Sequence, residues 1–108
     1  MIYHITTPDL HAKFNALDYY EAPSLQLEGF IHCSTLAQLK ATAERYYSEI
    51  PEIMVYHIDE NLLNSELKYE MATIGESFPH IYGSINKNAI VSVQSYPNRS
   101  GSFDIKSE

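Results

Sequence analysis

Tryptophan is absent from this sequence, and cysteine occurs once, as Cys33. A single cysteine excludes an intramolecular disulfide. No run of apolar residues approaches the length needed to cross a bilayer. The region after Met1 has neither the basic start nor the apolar stretch of a signal peptide. A soluble cytoplasmic protein without a membrane partner is therefore expected. Bases are also scarce, with 7 Lys and Arg against 14 Asp and Glu and a formal charge of −7. That balance weighs against long-range attraction to nucleic acid phosphates. An anionic small molecule would need local donors, such as a helix N-terminus.

What is present suits one domain with one core: 108 residues, 44% of them apolar. Nine tyrosines can pack a small core or line a pocket while keeping a polar tip. Residues 1–96 read as a single globular domain. Residues 97–108 have little to bury beyond Phe103 and Ile105 and read as a mobile C-terminal tail.

Residues 2–6 form the first strand, rich in strand formers. Thr7 is an N-cap with Pro8 at the first helical position, and Leu10, Phe14 and Leu17 carry the helix to about Leu17. "DYYEAPSLQLEG" reads as a loop broken by Pro23 and Gly29. Residues 30–33 are a second strand, and Thr35-x-x-Gln38 resembles a capping box for the next helix, which Pro51 ends. "EIMVYHID" and "ELKYEMA" are strands. "FPHIYG" is a short strand or an ordered loop, and "NAIVSVQSY" is the last strand. A weak internal echo pairs "MIYHI" with "MVYHI", "YYEA" with "KYEM" and "EGFIH" with "ESFPH". Chance and duplication both account for it.

The stretch "EGFIHCST", residues 28–35, turns polar where a strand should be buried. Side chains alternate faces on a strand, so Phe30, His32 and Ser34 share one face while Ile31 and Cys33 take the other. Cys33 is then a small buried hydrophobe rather than a nucleophile. Ser34 and Thr35 sit where strand meets helix, a place whose backbone N–H groups favour an anion. A simpler reading has Ser34 capping the helix and His32 bonding a backbone carbonyl. Four histidines lie in or beside strands: His4, His32, His57 and His80. His11 falls on the exposed face of the first helix. None of these has i, i+4 or H-x-H spacing, so a polar small-molecule pocket is preferred over a metal site. Glu70 in "KYEMA" is the carboxylate to watch, and Glu76 reads as a solvated acid.

"EGFIHCS" and "FPHIYG", with "IYHIT" before them and "KYE" between, closely resemble the bacterial family called domain of unknown function 952, over residues 1 to about 96. That family is similar in fold to the ADP-ribosyltransferases, which include NAD-consuming RNA 2'-phosphotransferases. The resemblance implies an α+β fold with small curved sheets, two or three helices and a cleft. It also implies NAD or a related nucleotide as ligand and, if the domain is active, ADP-ribosyl transfer. On that basis His4 would hold a ribose hydroxyl, His32 and Ser34 would frame the nicotinamide, and Glu70 would stabilise positive charge. Thr35 would join Ser34 at the anionic part of the ligand. His80 and Tyr82 come from the family's own motif and are ligand-binding candidates, while His57 lies outside it. The sequence departs from the transferases in having Ile5 and Thr6 after the first-strand histidine, where they usually have a glycine, and in few lysines or arginines placed for a pyrophosphate. The rival readings are a non-catalytic pocket for a small metabolite and an interaction module with structural histidines. Self-association is left open.

Overall fold

Thr7 holds an extended backbone and accepts a hydrogen bond from Leu10 N through its side chain, so the first strand hands over at once to a helix begun by Pro8. The same logic of start and stop runs through the chain in this computed structural model, which describes residues 1–106. The elements are β1 (Ile2–Thr6), α1 (Pro8–Phe14), β2 (Tyr19–Tyr20), α2 (Pro23–Glu28), β3 (Ile31–His32), α3 (Leu36–Tyr46), β4 (Glu52–Ile58), β5 (Glu66–Met71), β6 (Ser77–Tyr82), β7 (Ile85–Asn86) and β8 (Ile90–Pro97). Single 3-10 turns fall at Glu60–Leu62 and Lys87–Ala89. The result is a small α+β fold of antiparallel sheets with three helices. No helix among the described residues is long and apolar enough to cross a membrane.

The sheets have the strand orders β1-β4-β8, β3-β6-β5 and β2-β7. β1 is joined to the second of these by a two-way bridge just past β3. Tyr3 N donates to Ser34 O at 2.9 Å, and Ser34 N donates to Tyr3 O at 2.7 Å. All five β1 residues are buried, because the strand has a core on each face. Ile2 packs with Phe14, Tyr20, Tyr56, Ile81 and Ile85. Tyr3 and Ile5 pack with Leu39 and Ala43 of α3, with Val55, and with Phe103 and Ile105.

Three expectations need correction. The segment "DYYEAPSLQLEG" is not a loop: it contains β2 and α2. Pro23 opens α2, and Gly29, at φ 91°, ends it in the left-handed conformation that glycine tolerates best. The first helix stops at Phe14, before Leu17, which lies exposed. The chain after Tyr96 is docked rather than loose. Phe103 and Ile105 are buried, and Lys40 Nζ donates to Phe103 O at 2.6 Å. Glu44 Oε2 accepts from Lys40 Nζ at 2.7 Å and from Ser102 Oγ at 2.6 Å. Two buried apolar side chains and a charged latch suffice to hold ten residues that otherwise lack apolar surface. Ser107 and Glu108 lie outside the described residues.

The echoed segments also have a place in the fold. β1 pairs with β4, which carry "MIYHI" and "MVYHI", and β3 pairs with β6, which carry "EGFIH" and "ESFPH". The third pair is not adjacent, since β2 pairs with β7 and β5 with β6.

Candidate functional site

In β3 and β6 the alternation of side chains separates a core face from an outer one. Ile31 and Ile81 are opposite one another and fully buried. His32 is opposite His80, and His80 is opposite Lys68 in β5. Phe78 and Tyr82 fall two residues either side of His80 and so share its face. The Phe30 ring stacks on His80, with centroids 4.1 Å apart and planes at 23°. It also meets His32 edge-on at 4.8 Å. The His32 and His80 rings stand 5.4 Å apart, nearly perpendicular.

This aromatic face opens on a groove of about 540 Å³ between the β3-β6-β5 sheet, β1 and α3. His32, Ser34 and His80 line it together with Tyr3, Tyr46, Tyr47 and Phe78. Among the described residues no lysine, arginine or carboxylate lines it. A groove of this size, mostly apolar with a few polar groups, suits a small organic molecule.

Glu70 gives the site its chemical direction. Its Oε1 accepts hydrogen bonds from His80 Nδ1, at 2.8 Å, and from the Tyr82 hydroxyl. These two bonds, Tyr82's first, hold the Glu70 carboxyl below its usual range. The Glu70 carboxylate in turn raises the Tyr82 phenol. Because a carboxylate can only accept, His80 carries its proton on Nδ1 in the neutral ring. Among the described residues no hydrogen bond reaches Nε2, which is left as an oriented proton acceptor. His32 is more exposed and points Nε2 at Glu28 Oε2, 3.0 Å away. Ser34 is buried, with Oγ 3.5 Å from Thr42 Oγ1.

His4 is not in this groove. It alternates with Tyr3 and Ile5, which line the groove, and so faces the opposite core. There Nδ1 donates to His32 O at 2.7 Å. Nε2 meets the Tyr20 hydroxyl at 2.9 Å, and that hydroxyl lies 2.8 Å from Thr6 Oγ1. Burial pushes the imidazole down to about 4, so it is neutral and serves as a buried fastening between β1, β2 and β3. The resemblance implies that His4 meets the same ligand as His32 and Ser34, but among the groove-lining residues His32 and Ser34 are present and His4 is not.

The anion position expected at Ser34 and Thr35 is also filled from within. Ser34 N is bonded to Tyr3 O, and Thr35 N donates to Gln38 Oε1 at 3.0 Å. The Gln38 amide also donates to Ser77 O at 2.8 Å, tying α3 to the β5-β6 turn. These donors face protein acceptors and are not free to meet an anion. Cys33 is buried, and burial drives its thiol far up, so it remains protonated. His11 is half-buried rather than exposed, with Nδ1 2.8 Å from the Tyr56 hydroxyl. His57 meets Tyr3 edge-on at 4.9 Å, and its Nε2 is buried with no partner. Sequence reasoning missed Phe78, although its alternation with His80 and Tyr82 marks the same face. It also missed Tyr46 and Tyr47, which only the packing of α3 brings to the groove.

Over residues 5–93 the chain matches the family described as Protein of unknown function (DUF952). No curated protein matches it. Among solved structures it is similar to protein CC0527 from Caulobacter crescentus. The crystal structure has a TM-score of 0.86 at 22% identity, covering 95% of this chain and 92% of that one. A double methionine variant of CC0527 gives 0.85 at 21%, with the same coverage. The solution NMR structure gives 0.79 at 21%, covering 94% and 89%. At such identity the likeness is one of fold. With the family match spanning most of its length, the chain belongs to the DUF952 family.

Proposed function

We propose that the groove binds a small planar metabolite of nucleoside size, and that His80, oriented by Glu70, accepts a proton from it. The observation that carries this reading is the Glu70–His80 hydrogen bond of 2.8 Å, which leaves Nε2 unbonded beside an aromatic groove. A histidine fixed by a carboxylate in one tautomer is a standard arrangement for a general base. The aromatic side chains around it favour a flat ligand, and the hydroxyls of Ser34 and Thr42 offer polar contacts.

An ADP-ribosyltransferase-like architecture, with NAD as ligand, is the finer form of this proposal and rests on the sequence resemblance. The small antiparallel sheets around an aromatic groove support it. The lack of a lysine or arginine in the lining, with the bonded backbone at Ser34 and Thr35, favours the nucleoside part of such a ligand over its pyrophosphate.

The test is calorimetry of the wild-type protein and His80→Ala with adenosine, nicotinamide riboside, NAD and ADP-ribose, beside a nicotinamide-release assay. Binding of a nucleoside that weakens at least tenfold in His80→Ala is the expected result. Unchanged binding in His80→Ala removes His80 from the site. Absence of heat with all four ligands rejects the nucleoside-sized reading.

A further inference from the structure

Among the described residues, β8 is hydrogen-bonded on one side only. It pairs with β4 from Glu52↔Pro97 to Ile58↔Ile90 and is the last strand of its sheet. Among the described residues no other backbone hydrogen bond involves Val91–Tyr96. The outer edge therefore presents a row of unpaired N–H and C=O groups, which is a template for another strand.

Natural edges are usually guarded by charge, proline, a bulge or a cover. This edge has little of that protection. From Asn88 to Asn98 the chain carries no charged residue. Proline enters only at the end, as Pro97, and the one register shift lies at the start, between His57 and Ile58. Val91 and Val93 are 51% and 40% exposed, on the same side of the strand. In a chain of net charge −7 two copies repel over most of their surface. The bases nearest the ends of this uncharged stretch in sequence are Lys87 and Arg99, and the acid bonded to it is Glu52 of β4, which accepts from Ser95 Oγ near its far end.

We propose that β8 is a self-association edge, on which two copies of this chain pair antiparallel about a twofold at Ser92. That register sets Val91 of one copy opposite Val93 of the other, covering both valines, and places no acid against an acid along Asn88–Asn98. The two three-stranded sheets become one of six strands. A second copy is the favoured occupant because the segment is uncharged and complementary to itself in the antiparallel sense. One strand pair is a small interface, so the dimer is weak and concentration-dependent.

Sedimentation of the wild-type chain from about 10 μM to about 1 mM, a range set by the weakness expected of small interfaces, tests the proposal. The expected result is a reversible monomer–dimer equilibrium that Val91→Lys/Val93→Lys abolishes, with circular dichroism unchanged. A wild-type monomer at every concentration overturns it, as does a dimer that persists in the folded double variant. Should the lysine pair unfold the chain, Ser92→Cys serves instead. Mild oxidation should give a disulfide-linked dimer at concentrations where the wild type, whose Cys33 is buried, gives none. Failure of Ser92→Cys to cross-link overturns the Ser92 register.

Discussion

Glu70 and His80, diagonal neighbours on the paired strands β5 and β6, share a 2.8 Å hydrogen bond in which Nδ1 donates to Oε1. The same oxygen accepts from Tyr82. The carboxylate thus sets the tautomer of one ring and suppresses the ionisation of another. The three residues come from two adjacent strands, so the geometry is fixed by sheet register rather than by a loop.

Tyr82 and Glu70 should report this coupling directly. In Glu70→Gln the Tyr82 phenol should ionise closer to its ordinary range, since the main cause of its upward shift is the Glu70 hydrogen bond. In Tyr82→Phe the Glu70 carboxyl should titrate higher than in the wild type. The folded carboxyl is depressed, so its contribution to stability is present above the ordinary value and is lost as pH falls through the folded one. Carbonyl-carbon NMR of Glu70 and ultraviolet titration of the tyrosines would measure both. Identical titrations in wild type and variants would mean that the hydrogen bonds do not form in solution.

His4 makes a separate prediction about acid. Burial lowers its imidazole from 6.5 to about 4. Between those values the unfolded chain binds a proton that the folded chain refuses. Stability from this residue is therefore complete above pH 6.5 and declines as pH falls toward about 4. A shift of this size corresponds to about 3 kcal/mol at most. Denaturant unfolding at pH 7.5 and pH 4 (conditions that bracket a histidine's titration) should show a smaller acid loss in His4→Gln than in the wild type. The variant is expected to be the weaker protein at neutral pH, having lost the bonds to His32 O and Tyr20. An equal acid loss in both proteins would contradict a buried neutral imidazole.

Much of the fold was legible where local signals were strong. Thr7-Pro8 and Thr35-x-x-Gln38 mark helix starts, and β1, β4 and β8 are apolar, β-branched runs. α2 was hidden because Pro23 and Gly29 were read as breakers, although they are also the residues that begin and end a helix. His32 and Ser34 line one groove, as alternation suggests, but Cys33 between them lines it too, because β3 ends at His32. The exclusion of His4 did not follow from alternation, because β1 is buried on both faces and either could have held a polar group. What put His4 in the core is the Tyr20 hydroxyl, contributed by a two-residue strand that the sequence does not announce. The Glu70–His80 bond depends on the β5-β6 register, which no single segment encodes.

Cys33 is expected to be chemically silent. It is buried beside Ile31 in the first core, and its thiol is held protonated by burial. Reaction with a disulfide reagent should be far slower in native protein than in denaturant, because only the thiolate attacks. Cys33 lines the groove, so rapid native labelling would show that the thiol is reached from there and reopen a nucleophilic role.

The last prediction concerns the chain after Tyr96. Phe103 is fully buried against Leu39, Ala43, Ile53 and Val55, and Ile105 joins it. The backbone there is held by Lys40 Nζ at Phe103 O and by Asn98 Nδ2, which donates to Ser48 O and Ile50 O at 2.8 Å each. Glu44, held down to about 2 chiefly by its bond from Lys40 and then by Ser102, closes the latch. Phe103→Ala should cost about 3–5 kcal/mol, as expected for emptying an aromatic site in a packed core. Truncation after Tyr96 should cost at least as much, since it removes Ile105 and the latch as well. Glu44→Gln should cost far less, because the carboxylate is close to solvent and its ion pair is screened. Denaturant unfolding of the three variants orders these contributions. A truncated chain as stable as the wild type would show that the second core is complete without Phe103.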